Sequence, residues 1–409
     1  MKHSSLKYFY FWFRIFWNLS WVLALIWTVG CGRSPLVDPT EAMRRVDAPE
    51  LSDDLDLGQL FLAIEREIRF LAHNASVTEF RFGPDLYSKK EYLAGLAHFV
   101  ALGRSAPDRN AFYSQVKSEF AFYEVYGRKK WGEVFITSYF EPLISGSLKK
   151  TAKYSQPLYA TPPGIMSLDL ALFDPRFSDE RKMRVRRAGR DLLPFYTREE
   201  IDSKNALKGK GLELVWVDPL DGYFLQVQGS GTISMGKGIT MRLNYSDKNG
   251  APYEGIGKFV KQYLPPEQVN MHTIEAFLRR TPKEAMQRFM NLNPSYVFFK
   301  KTKETALTSL GVEATDGRTI ATDKKFFPKG AIAFLSFEKP VFTSKVALLP
   351  ERVENTARFV LDQDIGGAIT GGGRVDLFWG RGEEAKLYAG SMKNQGRLYY
   401  LAPKRVVKK

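Results

Sequence analysis

Apolar residues recur at helical spacing near the start of the predicted folded region. Over residues 55–73 they fall on one face of a helix, which predicts an amphipathic helix and a folded chain that starts near Leu57. Ser88 and Glu91 have the spacing of a capping box, so a second helix is expected after Ser88. A third helix is predicted over about 108–126. These three helices make up a helical N-terminal part.

From residue 134 to about 265 the pattern changes to short runs that are broken by Gly, Pro and Asn. β-Branched and aromatic residues alternate with small polar ones there, which is typical of strands. Only 181–193 and 197–206 look helical within this region. In "DGYFLQVQGSG" the alternation places Gln226 and Gln228 on one face of a predicted strand.

Helices are predicted again at "MHTIEAFLRR" and at "TPKEAMQRFMN". The second is expected to use Thr281 as its N-cap and Pro282 as its first helical residue. From "NPSYVFF" to the end, strands and turns return. The pattern therefore predicts a mainly β protein with a helical N-terminal part, and 409 residues allow two or three domains.

The first thirty residues have the layout of a signal peptide, a basic head followed by the apolar stretch "IFWNLSWVLALIWTVGCG". This stretch ends at Cys31, the only cysteine, so a disulfide framework is excluded. Cys31 after "TVG" resembles a bacterial lipobox, although Thr28 occupies a position that usually carries Leu. The prediction is a lipoprotein signal peptide over 1–30 with lipidation at Cys31. The alternative is a plain membrane anchor with an incidental cysteine.

A lipidated Cys31 would anchor the protein to a membrane without spanning it. The residue after Cys31 is Gly32 and not Asp, which favours the outer membrane and a protein that faces the periplasm. Residues 31–55 are polar and contain proline, which predicts a tether. The formal net charge of +15 suits an anionic partner such as a lipid surface or an acidic polymer. Nucleic acid is not expected, because the sequence has no aromatic-basic motif or groove-reading helix.

The sequence lacks the motifs of most common catalytic centres. The four histidines form no HExxH or other cluster, so no metal site is expected. There is no phosphate-loop motif and no strand-coupled GxGxxG, which argues against a nucleotide cofactor, and no cofactor is predicted. A GxSxG elbow is also absent. Carboxylates remain as the groups that would do the chemistry.

Carboxylates in a groove with aromatic and amide side chains are the usual means of cleaving glycosidic bonds. Sugars present apolar ring faces and many hydroxyl groups, so aromatic residues beside glutamines suit them. The stretch "DGYFLQVQGSG" provides such a combination, although taken alone it is explained more simply by a polar surface strand.

An ordered series of motifs makes the chemistry more specific. The motifs are "FITSYFEPLISGS", "YTREEID", "DPLDGYFLQVQGSG", "YSDKNGAPYEGIGK", "NPSYVFF", "GRTIATDKKFFPKG" and "QDIGGAITGGGRVDLFWGRGEEA". From about Leu57 to Pro403 the chain resembles the membrane-bound lytic murein transglycosylase A family. The resemblance implies an enzyme that cleaves the MurNAc–GlcNAc β-1,4 bond of peptidoglycan without water and leaves a 1,6-anhydro-MurNAc end.

The fold that the resemblance implies is a double-psi β-barrel domain with an inserted smaller β domain, and the glycan lies in the groove between them. The expected boundaries are 56–155 and 285–409 for the barrel domain with its N-terminal helices, and 156–284 for the insert. Expected partners are peptidoglycan glycan strands, the membrane through the N-terminal lipid, and cell-wall synthases as candidate protein partners.

The family's catalytic acid corresponds to Asp376 in "DLFWG". Asp364 of "DIGGAI" and Asp323 of "ATDKKFFPKG" match the two other aspartates of the motif series. Glycines between Asp364 and Asp376 would let the backbone turn tightly and approach the sugar. For Asp364 and Asp323 the alternatives are a supporting role in catalysis and simple turn capping.

Substrate contacts carry over onto further positions of the same motifs. They are Thr137, Tyr139, Glu141, Gln226, Gln228, Gly229, Ser230 and Trp379. For Trp379 both core packing and sugar stacking remain open. Two positions depart from the family pattern. Ile365 replaces the usual Thr of "DTGG", which removes a hydroxyl group that could orient Asp364, and Ser138 replaces the Gly of "TGYYEP".

Two other functions are compatible with parts of the sequence. A noncatalytic wall-binding lipoprotein would keep the anchor and the groove but would need no protonated Asp376. An aspartic peptidase is suggested superficially by "DIGG", but it needs a second DTG-like loop, which the sequence lacks.

Overall fold

A computed structural model describes residues 38–127, 131–177, 182–303 and 307–405. The predicted signal peptide and the lipidation site Cys31 lie outside the described residues. Within these ranges no helix is both long and apolar enough to cross a membrane.

The helices are α1 Leu57–His73, α2 Lys89–Ser105, α3 Arg109–Glu119, α4 Arg198–Asp202, α5 Pro219–Gln228, α6 Gly257–Val260, α7 Met271–Arg280, α8 Lys283–Asn291 and α9 Gly382–Ser391. The strands are β1 Met43–Val46, β2 Glu79–Phe82, β3 Asp85–Ser88, β4 Phe120–Val125, β5 Glu133–Glu141, β6 Leu143–Ser147, β7 Gln156–Tyr159, β8 Met166–Leu168, β9 Met183–Ala188, β10 Asp191–Pro194, β11 Glu213–Val217, β12 Ser230–Ser234, β13 Thr240–Lys248, β14 Val297–Thr302, β15 Thr319–Ala321, β16 Ala331–Val341, β17 Arg352–Asp364, β18 Arg374–Arg381 and β19 Lys393–Pro403.

Six strands form a closed barrel in the order β5–β18–β15–β17–β16–β19, because β19 pairs back onto β5. β5 and β18 are parallel, as are β15 and β17, and the other pairings are antiparallel. β4 and then β1 extend the sheet beyond β19. The predicted mainly β fold with a double-psi barrel is confirmed.

Alternation along the strands decides which side chains fill the barrel. Val134 and Ile136 of β5, with Val375 and Leu377 of β18, are fully buried in the main hydrophobic core. Thr137 and Asp376 occupy alternate positions and are only partly buried. Because successive side chains of a strand point to opposite faces, the polar pair lies on the outer face of the barrel.

A second sheet comes from the chain between β5 and β15, in the order β14–β13–β12–β6–β11–β7. β8, β9 and β10 form a separate small sheet. The strands β6 and β14 belong to the second sheet, although the predicted boundaries at 156 and 284 would leave both of them in the barrel domain.

Residues 38–55, which were predicted to belong to a tether, instead fold onto the barrel. β1 pairs with β4, and Leu51 is buried. Asp53 forms an ion pair with Arg318 at 2.6 Å, and both side chains are fully buried. Folded structure therefore starts before Leu57, because these residues supply a strand and the partner of an interior arginine.

Helix α1 and the capping box at Ser88 agree with the prediction. The third predicted helix instead ends at Glu119, and the chain continues directly as β4, in which every residue is buried. A continuous apolar run is compatible with helix or buried strand, and here the pairings with β19 and β1 decide.

Three local predictions are wrong. Residues 183–194 form the hairpin β9–β10 rather than a helix. Gln226 and Gln228 lie on helix α5, because Asp218 caps its first amides and Pro219 occupies the first turn. The cap of α8 is Pro282 without a side-chain hydrogen bond, and Thr281 ends α7. Helices over the predicted segments 271–280 and 283–291 are confirmed.

Candidate active site

Parallel pairing of β5 and β18 brings Asp376 opposite Thr137. The Thr137 hydroxyl donates a 2.7 Å hydrogen bond to Oδ1 of Asp376. Arg374, on the same face of β18, donates from Nη2 to the Thr137 oxygen at 3.3 Å. The sheet register therefore fixes the side chain of Asp376 from one side.

Asp364 ends β17 and is held by donors on both oxygens. Its Oδ1 accepts from the backbone amides of Ser309 at 2.8 Å and Ile365 at 2.9 Å, and its Oδ2 accepts from the Tyr139 hydroxyl at 2.9 Å. The Ile365 side chain is exposed. Backbone amides thus provide hydrogen bonds that orient Asp364, although the hydroxyl group of the family's usual Thr is absent.

Burial raises the pKa of Asp376 to about 6. The hydrogen bond from Thr137 and the positive charge of Arg374 lower the pKa, and the nearby negative charge of Asp364 raises it. Burial also raises the pKa of Asp364, whereas the hydrogen bonds from Ser309, Ile365 and Tyr139 lower it. With a pKa of about 6, Asp376 is about half protonated at pH 6 and keeps about one tenth of its protons at pH 7, so it can act as a general acid.

Asp323 holds the glycine-rich segment between Asp364 and Asp376. Its Oδ2 accepts from the amide of Gly371 at 2.8 Å, and its Oδ1 accepts from the amide of Lys325 at 3.0 Å. Gly371 has a φ of +83°, which is strained for other residues. The contacts of Asp323 are those of a turn-capping residue.

The same glycine-rich segment approaches the second sheet. A Cβ built at Gly367 would lie 3.5 Å from Nζ of Lys248 on β13. The segment is therefore in close contact with β13 of the second sheet at Gly367.

Among the predicted substrate contacts, Glu141 is a structural anchor. It is buried and accepts from Nε of Arg381 at 2.6 Å and from the Thr232 hydroxyl at 3.0 Å. These contacts tie β5 to the end of β18 and to β12 of the second sheet.

Gln226 and Gln228 both lie on helix α5, where residues two positions apart do not share a face. Gln226 is buried, and its Oε1 has no hydrogen-bond partner within the described ranges. Gln228 is partly exposed, and its Oε1 accepts from the amide of Phe140 at 3.1 Å. Gly229 ends α5 in the left-handed conformation, and Ser230 begins β12.

Trp379 is held by protein contacts on several sides. Its ring stacks on Tyr388 with centroids 4.8 Å apart, and the Arg358 guanidinium lies 5.2 Å from its centroid. Its Nε1 donates to Sδ of Met392 at 3.2 Å. Of the two interpretations of Trp379, these contacts fit core packing.

Two residues near Asp376 were not predicted from the sequence, Arg374 and Tyr253. Desolvation raises the pKa of Tyr253, although 44% of its surface is exposed, and the negative charge of Asp376 raises the pKa further. The motif "NGAPYEGIG" contained Tyr253 but offered no catalytic pattern that would have singled it out. Its proximity to Asp376 comes from the tertiary structure.

A cavity of about 240 Å³ is lined by residues of β5, α5, α7 and α9 and of the neighbouring loops. Its walls include Ser138 of β5, Gln228 of α5, Tyr253, and Ser391 at the end of α9. Within the described ranges, no group of His, Cys, Asp and Glu side chains is arranged to hold a metal ion.

Two segments of this chain match known domain families. Residues 135–300 match the MltA specific insert domain, and residues 318–402 match the 3D domain. The chain is 26% identical over 283 residues to membrane-bound lytic murein transglycosylase A of Escherichia coli strain K12, covering 68% of each chain. It is 25% identical over 325 residues to a homolog of that protein in Buchnera aphidicola, covering 78% of this chain and 79% of the homolog.

Solved structures share the fold. The membrane-bound lytic murein transglycosylase from Agrobacterium tumefaciens has a TM-score of 0.68 at 24% identity, with 88% of this chain and 98% of that one covered. E. coli MltA with bound chitohexaose has a TM-score of 0.65 at 21% identity, with 90% and 96% covered. At these identities the structural likeness concerns the fold.

Proposed function

Because the chain belongs to the membrane-bound lytic murein transglycosylase A family, we propose that it cleaves the MurNAc–GlcNAc β-1,4 bond of peptidoglycan with Asp376 as the single general acid and base. The product is a glycan strand that ends in 1,6-anhydro-MurNAc. The observation that carries this proposal is the position of Asp376, a partly exposed carboxyl group with a pKa raised to about 6.

In the first step, protonated Asp376 donates its proton to the glycosidic oxygen, and the bond from that oxygen to C1 of MurNAc breaks. Positive charge then develops at C1 in an oxocarbenium-like transition state. The newly formed carboxylate of Asp376 stabilises this charge. Thr137 holds the carboxylate in one orientation through the 2.7 Å hydrogen bond.

In the second step, the same carboxylate accepts the proton of the C6 hydroxyl group of MurNAc while O6 bonds to C1. The 1,6-anhydro ring closes, and Asp376 regains its proton for the next turnover. Because the attacking hydroxyl belongs to the substrate, proximity replaces the second carboxylate that a hydrolase needs to activate water or attack the sugar.

The other aspartates support this site. Asp364 receives hydrogen bonds from two backbone amides and from Tyr139, and its negative charge favours the protonated form of Asp376. Asp323 fixes the glycine-rich segment through the amide of Gly371. The glycan occupies the groove beside this segment, between the barrel and the second sheet.

The proposal is tested by mass spectrometry of the muropeptides that the full chain releases from purified sacculi, alongside Asp376→Asn. We expect products lighter than reducing-end muropeptides by one water, and we expect the variant to release none. Asp191→Asn, at an exposed position of β10, serves as the matched control and should keep the wild-type products.

Two outcomes would contradict the proposal. Reducing-end products would mean hydrolysis and a second catalytic group. Binding to sacculi without any released product, from folded wild-type protein, would instead support a noncatalytic wall-binding protein.

For localisation, the proposal is an N-terminal lipid at Cys31 that anchors the protein to the outer membrane, facing the periplasm. The curated relatives are named as membrane-bound proteins. Cys31→Ser should move the protein from the membrane fraction to the soluble fraction after cell lysis. Unchanged membrane retention would show that the apolar N-terminal stretch, and no lipid, holds the protein.

A further inference from the structure

The small sheet of β8, β9 and β10 has one apolar face. Residues directly opposite each other in paired strands share a face, and the register places six apolar residues on the same one. They are Met166, Leu168, Met183, Val185, Leu192 and Pro194. A face of this composition is typical of a surface that another molecule covers.

The opposite face of this small sheet packs on the second sheet. Arg184 of β9 donates from Nε to Oδ1 of Asp247 on β13 at 3.0 Å, and a Cβ built at Gly250 would lie 2.7 Å from Cβ of Arg184. Because successive side chains of a strand alternate, the apolar face points away from β13. Three of its side chains are 38–52% exposed: Met166, Met183 and Leu192.

Two short turns, Leu170–Leu172 and Pro175–Phe177, continue the chain from the end of β8. Asp169 forms an ion pair with Lys182 at 3.0 Å, which holds the first turn against the start of β9. Leu172 is 83% exposed and Phe173 is 77% exposed. We define the apolar tip as the exposed apolar side chains of this region, Met166, Leu172, Phe173, Phe177, Met183 and Leu192.

The charge that is exposed around the apolar tip is mostly positive. In the ion pair of Arg176 with Asp174 the arginine side chain is 85% exposed and the aspartate 28%, so the cation projects into solvent beyond its partner. Within the described residues 166–177 and 182–194, Asp191 is the single exposed acidic side chain. The exposed basic side chains of the same residues are Arg176, Lys182, Arg187 and Arg190.

We propose that the apolar tip is a docking surface for an anionic phospholipid membrane. Apolar side chains enter the boundary between the headgroups and the acyl chains, and the surrounding arginine and lysine side chains bind the lipid phosphates. Leu172 and Phe173 insert, because they are the most exposed side chains of the tip. The inference goes beyond the proposed glycan cleavage and does not depend on it.

Two observations favour a membrane over a second copy of the chain. Two copies that met through the apolar tip would bring their exposed cations together, and the chain has a formal net charge of +15. The described structure begins at Asp38, seven positions after Cys31 (38 − 31 = 7). A lipid at Cys31 would therefore leave at most about 25 Å of chain between the membrane and the folded part.

The test uses the full chain carrying Cys31→Ser and Phe173→Cys, in which the introduced thiol is the only one and carries a nitrobenzoxadiazole label. The fluorescence lifetime of this label differs between lipid and water, so it reports the ratio of inserted to exposed tips even if the N-terminal stretch also binds the vesicle. With an excess of vesicles of phosphatidylglycerol and phosphatidylethanolamine, we expect most of the label in lipid. With phosphatidylcholine vesicles, we expect most of it in water.

Two further substitutions in the labelled chain separate the apolar and the charged contributions. Leu172→Ser should lower the ratio of inserted to exposed label at least about ten-fold. Leu62→Ser, at an exposed position of α1, is its matched control and should not change the ratio. Arg190→Gln should lower the ratio about five-fold, and Arg280→Gln, at the exposed end of α7, should not.

Several outcomes would overturn the proposal. They are a label that stays in water with anionic vesicles, equal insertion into phosphatidylcholine, and equal effects of the tip variants and their controls in proteins with a wild-type melting temperature. A label response that needs no vesicles and grows with protein concentration would identify a second copy of the chain as the occupant. Release of products from sacculi without lipid should be the same for wild type and Leu172→Ser, and its loss in the variant would mean that the tip contacts glycan instead.

Discussion

Replacing Thr137 by Val should move the pH dependence of cleavage upward. Thr137 donates to the ionised carboxylate of Asp376 and so stabilises the charged form, which lowers the pKa. Val has nearly the same shape and suits a strand, but it has no hydroxyl group. Without this donor, Asp376 should hold its proton to higher pH.

The magnitude follows from the strength of the lost hydrogen bond. A hydrogen bond to a charged group contributes about 1.5–3 kcal/mol, and one pKa unit corresponds to about 1.4 kcal/mol. Because Asp376 is partly exposed, water can replace some of the loss, so we expect an upward shift of about one unit. From a pKa of about 6, the protonated fraction at pH 7 would rise from about one tenth to about one half.

The assay is the pH profile of kcat/KM for release of anhydro muropeptides from sacculi. In the proposed mechanism Asp376 must be protonated, so activity should be lost as the pH rises through its pKa, and the alkaline midpoint should report that pKa. Thr137→Val should raise the midpoint by about one unit, even if the lost contact lowers the plateau. Thr240→Val, at an exposed position of β13, should leave the midpoint unchanged.

A midpoint that stays in place in Thr137→Val, or moves down, would refute the argument. It would mean that the alkaline limb reports another group or that the hydroxyl does not donate to the carboxylate of Asp376.

Three further substitutions test the barrel and its supports. Glu67 is fully buried, and burial raises its pKa from 4.5 to about 7. Between these pH values the unfolded chain loses this proton and the folded protein keeps it, so the free energy of unfolding of the wild type should fall by up to about 3 kcal/mol as the pH rises. Glu67→Gln should show no such fall. Melting temperatures at pH 5 and 8.5 check this, and a parallel decline in both proteins would contradict it. Asp53→Ala leaves the Arg318 guanidinium buried and unpaired, and should lower the free energy of unfolding in urea by about 3–5 kcal/mol. An unchanged value would mean that residues 38–55 contribute little to the fold. Asp323→Ala frees the Gly371 amide and should lower kcat/KM without moving the alkaline midpoint, and a shifted midpoint would indicate direct electrostatic contact with Asp376.

The order of motifs along the sequence was enough to predict the family, the mainly β fold and Asp376 as the candidate acid. Helix α1 and the capping box at Ser88 were also predictable, because helical spacing and capping depend on residues three or four apart. Helix α5 was predicted wrongly, although Asp218, Pro219 and Gly229 are local start and stop signals that could have identified it.

Other features were set by contacts between residues distant in sequence. Phe120–Val125 is a strand because β19 and β1 pair with it, and residues 38–55 are folded because Arg318 needs the carboxylate of Asp53. Such contacts leave no mark in the local pattern of either segment.

The residue types of the candidate site are therefore determined by the sequence alone, and their chemical state is decided by the tertiary structure. Asp376 and Thr137 lie 239 positions apart, and only the parallel pairing of β18 with β5 makes them hydrogen-bond partners. The pKa of Asp376 depends on burial and on the charges that the fold places around it. An exposed aspartate is almost fully ionised near neutral pH. The surroundings of Asp376 in the folded protein raise its pKa, so that a fraction of the molecules carries the proton that a general acid donates.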